Sequence, residues 1–165
     1  MEHQNNIVFT SKTGGESHET FCLNKLMDEL KTYTEQELAK VGRSHVKVEI
    51  FKDYIKEKNW VHTDRKCLKQ IFVILLDNAV KHADRGAILF DYQNSILSPV
   101  QNYISFFVDD TGYGAQDENE TNYAIAKGLV EKMGGNMKVK PEGEAGTTVK
   151  FDIPFVPFDL QANFN

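Results

Sequence analysis

The stretch from Asp64 to Ala83, DRKCLKQIFVILLDNAVKHA, constrains this chain more than any other. Leu68, Ile71, Phe72, Leu75, Ala79 and Val80 recur at spacings of three and four, with Leu76 widening the stripe, which is the pattern of a helix with one buried face. So apolar a helix has to be a core element. On an adjoining line Ile74, Asn78, Lys81 and His82 follow at i, i+4, i+7 and i+8, which sets an amide and a cationic group on one edge of the rod. That edge is the place for chemistry. Thr63 or Asp64 is placed to cap the helix N-terminus.

The 165 residues suit one domain, and a chain of this length buries roughly 70% of its unfolded surface without staples. A hydrophobic content of 41% beside 26% charged residues is that of a globular chain, which excludes a disordered or membrane-embedded class. The net charge of -5 argues against nucleic-acid binding through the overall field. Cys22 and Cys67 both fall on expected apolar helix faces and read as small buried hydrophobes, a reducing-compartment pattern. MEHQNNIVFTSK has neither a basic leader nor an apolar run, so the expectation is a cytoplasmic domain without membrane contact, whose parent can be membrane-anchored.

Residues 1–20 are polar and read as a flexible lead-in or a poorly formed first strand, residues 21–156 as the folded domain and 157–165 as a tail. Leu23, Leu26, Met27, Leu30, Leu38 and Val41 fit a first helix over 23–41 that Gly42 stops. His45 to Phe51 alternates as a half-buried strand, and Trp60-Val61-His62 is a second short one. After the central helix, Ala87–Tyr92 and Asn102–Val108 suggest an antiparallel pair, ending at the turn-like Asp109-Asp110-Thr111-Gly112-Tyr113-Gly114. A third helix carries Ala126, Leu129, Val130 and Met133 and stops at Gly134-Gly135. Met137–Val139 and Thr147–Ile153 close the chain as a hairpin, with Pro154 as its end. The sum is an α+β two-layer sandwich: a mixed, mostly antiparallel sheet of about five strands with three helices on one face.

Taken as residues, Asn78, Lys81, Asp110, Gly112 and Gly114 suggest a nucleotide pocket. A carboxylate accepts hydrogen bonds from an exocyclic amine, and glycines admit close backbone approach. An amide oxygen suits Mg²⁺, and lysine supplies a point charge for phosphate. Beyond those residues, LLDNAVKHA resembles the N box of the GHKL (Bergerat) ATP-binding fold and VDDTGYG resembles its G1 box. KGLVEKMGGNMKV with GTTVKFDIP is similar to the end of a histidine kinase catalytic domain, and the ordered set is more specific than any one motif. The resemblance covers roughly residues 20–155.

That resemblance implies ATP and Mg²⁺ as cofactors, with Asn78 on the metal, Asp110 on the adenine amine, and Gly112 and Gly114 beneath the base. It sets Lys81 near phosphate, His82 where the family often has an aromatic ring, and Thr147 at the adenine end. No residue here is a catalytic base. Hydrolysing members carry a glutamate one turn before the asparagine, where this chain has Ile74, so phosphoryl transfer to histidine is the expected activity. The phosphoacceptor histidine helix would belong to the parent or a partner kinase, with a response regulator acting downstream. A departure lies in the lid: Glu120-Thr121-Asn122-Tyr123 stands where the family has a GLGL box, beside Asp117 and Glu118. The alternative it motivates is a degenerate docking or regulatory module that binds nucleotide weakly or not at all.

Overall fold

The computed structural model describes residues 17–51, 60–96, 102–111, 121–141 and 146–157. The elements are β1 (Glu19–Cys22), α1 (Leu23–Lys40), β2 (Lys47–Ile50), β3 (Trp60–Thr63), α2 (Arg65–His82), β4 (Ala87–Ile96), β5 (Asn102–Asp110), α3 (Thr121–Lys132), β6 (Asn136–Pro141) and β7 (Thr147–Pro157). Asp64 caps α2: one carboxylate oxygen accepts from the Cys67 N–H at 3.0 Å and the other from the Ser17 hydroxyl at 2.8 Å. None of the helices described is long and apolar enough to cross a membrane.

β2, β4, β5, β7 and β6 lie side by side in that order, antiparallel except for the β2–β4 pair. β2 and β4 can be parallel because β3 and α2 carry the chain back between them. A smaller antiparallel ladder of β1 and β3 joins the far end of β7 through Val61–Pro157 and His62–Val156. Alternate residues of the long strands are buried as the pleat requires: Ile88, Phe90 and Tyr92 on β4, Ile104, Phe106 and Val108 on β5, and Val149, Phe151 and Ile153 on β7. α2 lays Phe72 on this face, its ring centroid 5.3 Å from those of Phe106 and Phe151 and 6.0 Å from that of Phe90. Each such ring buried contributes about 1.5–3 kcal/mol, so the Phe72 cluster anchors the helix layer to the sheet.

Five boundaries differ from the sequence reading. Glu19–Cys22 is a strand, because pairing with Trp60–Thr63 buries Phe21 beside Val61; Cys22 therefore sits in a strand and not on a helix face. Val41 is 57% exposed, since α1 ends at Lys40 and the chain turns through Gly42 at φ +73°. β4 and β5 each extend further than expected, to Ile96 and Asp110. β7 continues through Pro154, which lies in the gap between the β6 ladder, ending at Asp152, and the β3 ladder, beginning at Val156, where that strand edge has no ladder partner among the described residues. Residues 1–16 and the tail from 158 lie outside the described residues.

Candidate functional site

The buried stripe of β5 reads Ile104, Phe106, Val108 and then Asp110; that of β7 reads Ile153, Phe151, Val149 and then Thr147. Asp110 and Thr147 are direct partners across the ladder, 6% and 2% exposed. A carboxylate and a hydroxyl thus stand where the pattern calls for another apolar pair. Burying polar groups at the end of a core stripe costs free energy unless they are hydrogen-bonded. Asp110 is a strand residue and not, as the glycine-rich sequence after it suggested, part of the turn.

This end of the sheet is locked by close backbone approaches. Gly146 has φ +103°, and a Cβ on it would collide with the Asp110 carbonyl, so only glycine lets β7 start so near the end of β5. The Thr111 N–H donates to the Ala87 carbonyl at 3.0 Å, and the Ala87 N–H donates to the Thr111 hydroxyl at 2.7 Å. Because β4 begins only a few residues after α2 ends, the last turn of α2 lies at this same end.

On that turn Asn78 is 1% exposed. Its Oδ1 accepts from the Asn122 Nδ2 at 3.3 Å, while its own Nδ2 is buried with no hydrogen-bond partner among the described residues. Asn122 is the second residue of α3, so the contact brings the α3 N-terminus against α2. Lys81 is exposed one turn on and His82 half-buried. Ile74, one turn before Asn78, packs against the core and offers no proton acceptor. Gly112, Gly114 and the lid residues up to Glu120 lie outside the described residues. The structure therefore brings together Asp110 with Thr147, and Asn78 with Asn122, at one end of the molecule.

Two neighbours of the site carried no signal in the sequence. The Arg43 guanidinium, from the turn after α1, donates through one nitrogen to the carbonyls of Val80 at 2.8 Å, Lys81 at 3.0 Å and Ala83 at 3.3 Å, capping the end of α2. Asp77, next to Asn78, faces α1 and accepts from the Tyr33 hydroxyl at 2.6 Å. Burial raises the Asp77 pKa against the pull of that hydrogen bond, and burial together with Asp77 raises that of Tyr33. Asp77 is thereby tied to the α1 side.

A mixed sheet under three helices, with a polar pair closing its core face and an asparagine on the central helix at the same end, defines an α+β two-layer sandwich. Residues 63–157 match the family model described as histidine kinase-, DNA gyrase B-, and HSP90-like ATPase, and the chain belongs to that family. Among curated proteins it is similar to hybrid signal transduction histidine kinase B of Dictyostelium discoideum, 29% identical over 116 residues, covering 57% of this chain and 6% of that protein. It is also similar to hybrid signal transduction histidine kinase C of the same organism, 27% identical over 132 residues, covering 59% of this chain and 11% of that one. The chain thus spans about a tenth or less of these relatives' length. Among solved structures, ShkA, full-length in complex with AMPPNP, aligns with TM-score 0.68 at 20% identity, covering 85% of this chain and 31% of that one. The mycobacterial sensor histidine kinase MprB aligns with TM-score 0.62 at 20% identity, covering 86% and 99%. The Acinetobacter baumannii histidine kinase AdeS aligns with TM-score 0.61 at 16% identity, covering 84% and 66%. At these identities the structural likeness speaks for the fold.

Proposed function

We propose that this domain binds ATP with Mg²⁺ and presents the nucleotide for phosphoryl transfer to a histidine on a separate dimerisation segment, as the catalytic domain of a cytoplasmic sensor kinase. The observation that carries the reading is the buried Asp110–Thr147 pair at the end of an otherwise apolar face. Asp110 would accept from the adenine amine, with the Thr147 hydroxyl beside it and Gly112 and Gly114 shaping the turn below the base. Asn78 fits a cation, since its amide oxygen is a hard donor on a side chain held by burial, and its amide nitrogen has no partner among the described residues. Lys81 and His82 would flank the phosphates, Lys81 as a point charge. Bound Mg²⁺ would supply charge neutralisation along the triphosphate.

What the protein's own residues contribute is positioning. Ile74 cannot activate water, which favours transfer to an incoming histidine over hydrolysis. That histidine, from the parent or a partner chain, and a response regulator beyond it complete the scheme. A second reading, a docking module with little nucleotide affinity, is favoured by the glycine-free Glu120–Tyr123 stretch and the acids before it. Calorimetric titration with ATP, with Mg²⁺ and with a chelator, separates the readings. The proposal expects Asn78→Ala to weaken binding mainly when Mg²⁺ is present. Equal loss in chelator would make Asn78 a structural amide, and no wild-type binding at millimolar ATP would leave the docking module.

A further inference from the structure

We infer that Asn122, on the first turn of α3, is the second protein oxygen donor of the cation site, forming a paired-amide site with Asn78. The inference rests on the ATP and Mg²⁺ reading above and assigns the partner that α2 itself lacks. One turn before Asn78 stands Ile74, packed against the core and without a donor atom, so α2 offers one hard oxygen. A small hard cation takes six oxygens in near-octahedral array, one or two of them from protein and the rest from phosphates and water, so a second protein oxygen completes what α2 alone supplies.

The second amide is already in place. Asn122 lies 44 residues from Asn78 in sequence, yet its Nδ2 is 3.3 Å from the Asn78 Oδ1. It is half-buried, on the rigid opening turn of a twelve-residue helix. In this arrangement the Asn122 amide nitrogen faces the one oxygen that a cation would use, and the Asn78 Nδ2 is buried with no acceptor among the described residues. The amide pair is therefore half-satisfied, a state that buried polar networks rarely keep without a ligand. Turning the Asn122 side-chain amide by half a revolution exchanges its nitrogen for its oxygen without moving α3. The Asn122 oxygen then takes the place its nitrogen holds beside the Asn78 Oδ1, which sets two amide oxygens next to each other between α2 and α3.

The test uses the 165-residue chain with Asn122→Ala and Asn122→Asp, each checked by circular dichroism and thermal melting, and titrated with ATP in Mg²⁺, in Mn²⁺ and in EDTA. Aspartate keeps an oxygen for the cation but has no N–H to give Asn78, so the two substitutions separate ligation from a structural hydrogen bond. The expected result is that Asn122→Ala cuts the metal-dependent gain in ATP affinity by about tenfold or more, leaves the EDTA affinity within about twofold, and that Asn122→Asp keeps the gain. Two results overturn the inference while leaving ATP binding intact. One is Asn122→Asp losing the gain as alanine does, which makes the contact structural. The other is Asn122→Ala binding Mg-ATP more tightly than wild type, which makes Asn122 a competitor for the Asn78 oxygen. Absence of ATP binding by the wild type in every condition overturns both this inference and the reading beneath it.

Discussion

Replacing Arg43 with alanine should loosen the end of α2 that carries the site. One guanidinium nitrogen serves three carbonyls, and with two protons it makes two good bonds, to Val80 at 2.8 Å and Lys81 at 3.0 Å, with Ala83 at 3.3 Å a weaker third. Hydrogen bonds from a charged donor contribute about 1.5–3 kcal/mol net, and a cation at a helix C-terminus about 0.3–2 kcal/mol. The two descriptions overlap and the group is only half-buried, so the loss should be about 2 kcal/mol. For a domain of this size that corresponds to a fall in Tm of about 4–8 °C. Urea denaturation gives the comparison directly, as a lower midpoint with an unchanged m value. Arg43→Lys should recover part of the loss, because it restores the charge at the helix end but on a shorter stem that ends in an ammonium and not a planar guanidinium. Hydrogen exchange should quicken at Val80 to Ala83 before it does in the sheet. A change in stability below about 0.5 kcal/mol for Arg43→Ala would refute the reasoning.

Gly146→Ala should cost at least about 2 kcal/mol, since it forces a non-glycine residue to a positive φ and drives its Cβ into the Asp110 carbonyl; thermal unfolding measures it, and a neutral result would show that β7 can start elsewhere. Burial, with the Asp64 carboxylate adding to it, pushes the Cys67 thiol up to about 11. In the native protein Cys67 should therefore resist iodoacetamide at pH 8 until urea exposes it. The folded state holds that proton more tightly than the unfolded chain, so this contribution to stability is full below about pH 9, the ordinary thiol's value, and falls away as pH rises through 11. Comparison of urea midpoints for wild type and Cys67→Ala across that window should show the steeper alkaline decline in wild type; parallel curves would contradict it.

What could be read from the sequence was whatever repeats at a local period. The α2 stripe of Leu68, Ile71, Phe72, Leu75, Leu76, Ala79 and Val80 is buried as its spacing implies, because a helix turns its own sequence into a face. The β4–β5 and β6–β7 pairs follow from alternation and short connections in the same way. Asp110 and Thr147 were singled out by motif, but their direct pairing is a matter of register between strands 37 positions apart, which no local pattern encodes. Arg43 beneath α2 and Asn122 against Asn78 are likewise long-range contacts of ordinary polar residues, and neither has a periodic signature. β1 was obscured for a different reason: Glu19 and Thr20 are the polar half of a four-residue strand at the sheet margin, where a pairing partner supplies the order that alternation does not.

The central claim is that the buried carboxylate at the end of β5 recognises a nucleotide base. The measurement that bears on it most directly is the ATP affinity of Asp110→Asn beside wild type, read by calorimetry on folded protein. The substitution keeps the size of the side chain and removes the charged acceptor, worth about 1.5–3 kcal/mol to an amine donor in a buried site. Wild type should bind with a Kd between about 1 µM and about 1 mM, and Asp110→Asn should weaken that by at least about tenfold. Equal affinity in the two proteins would contradict the account, because Asp110 would then be a buried carboxylate with no part in holding the base.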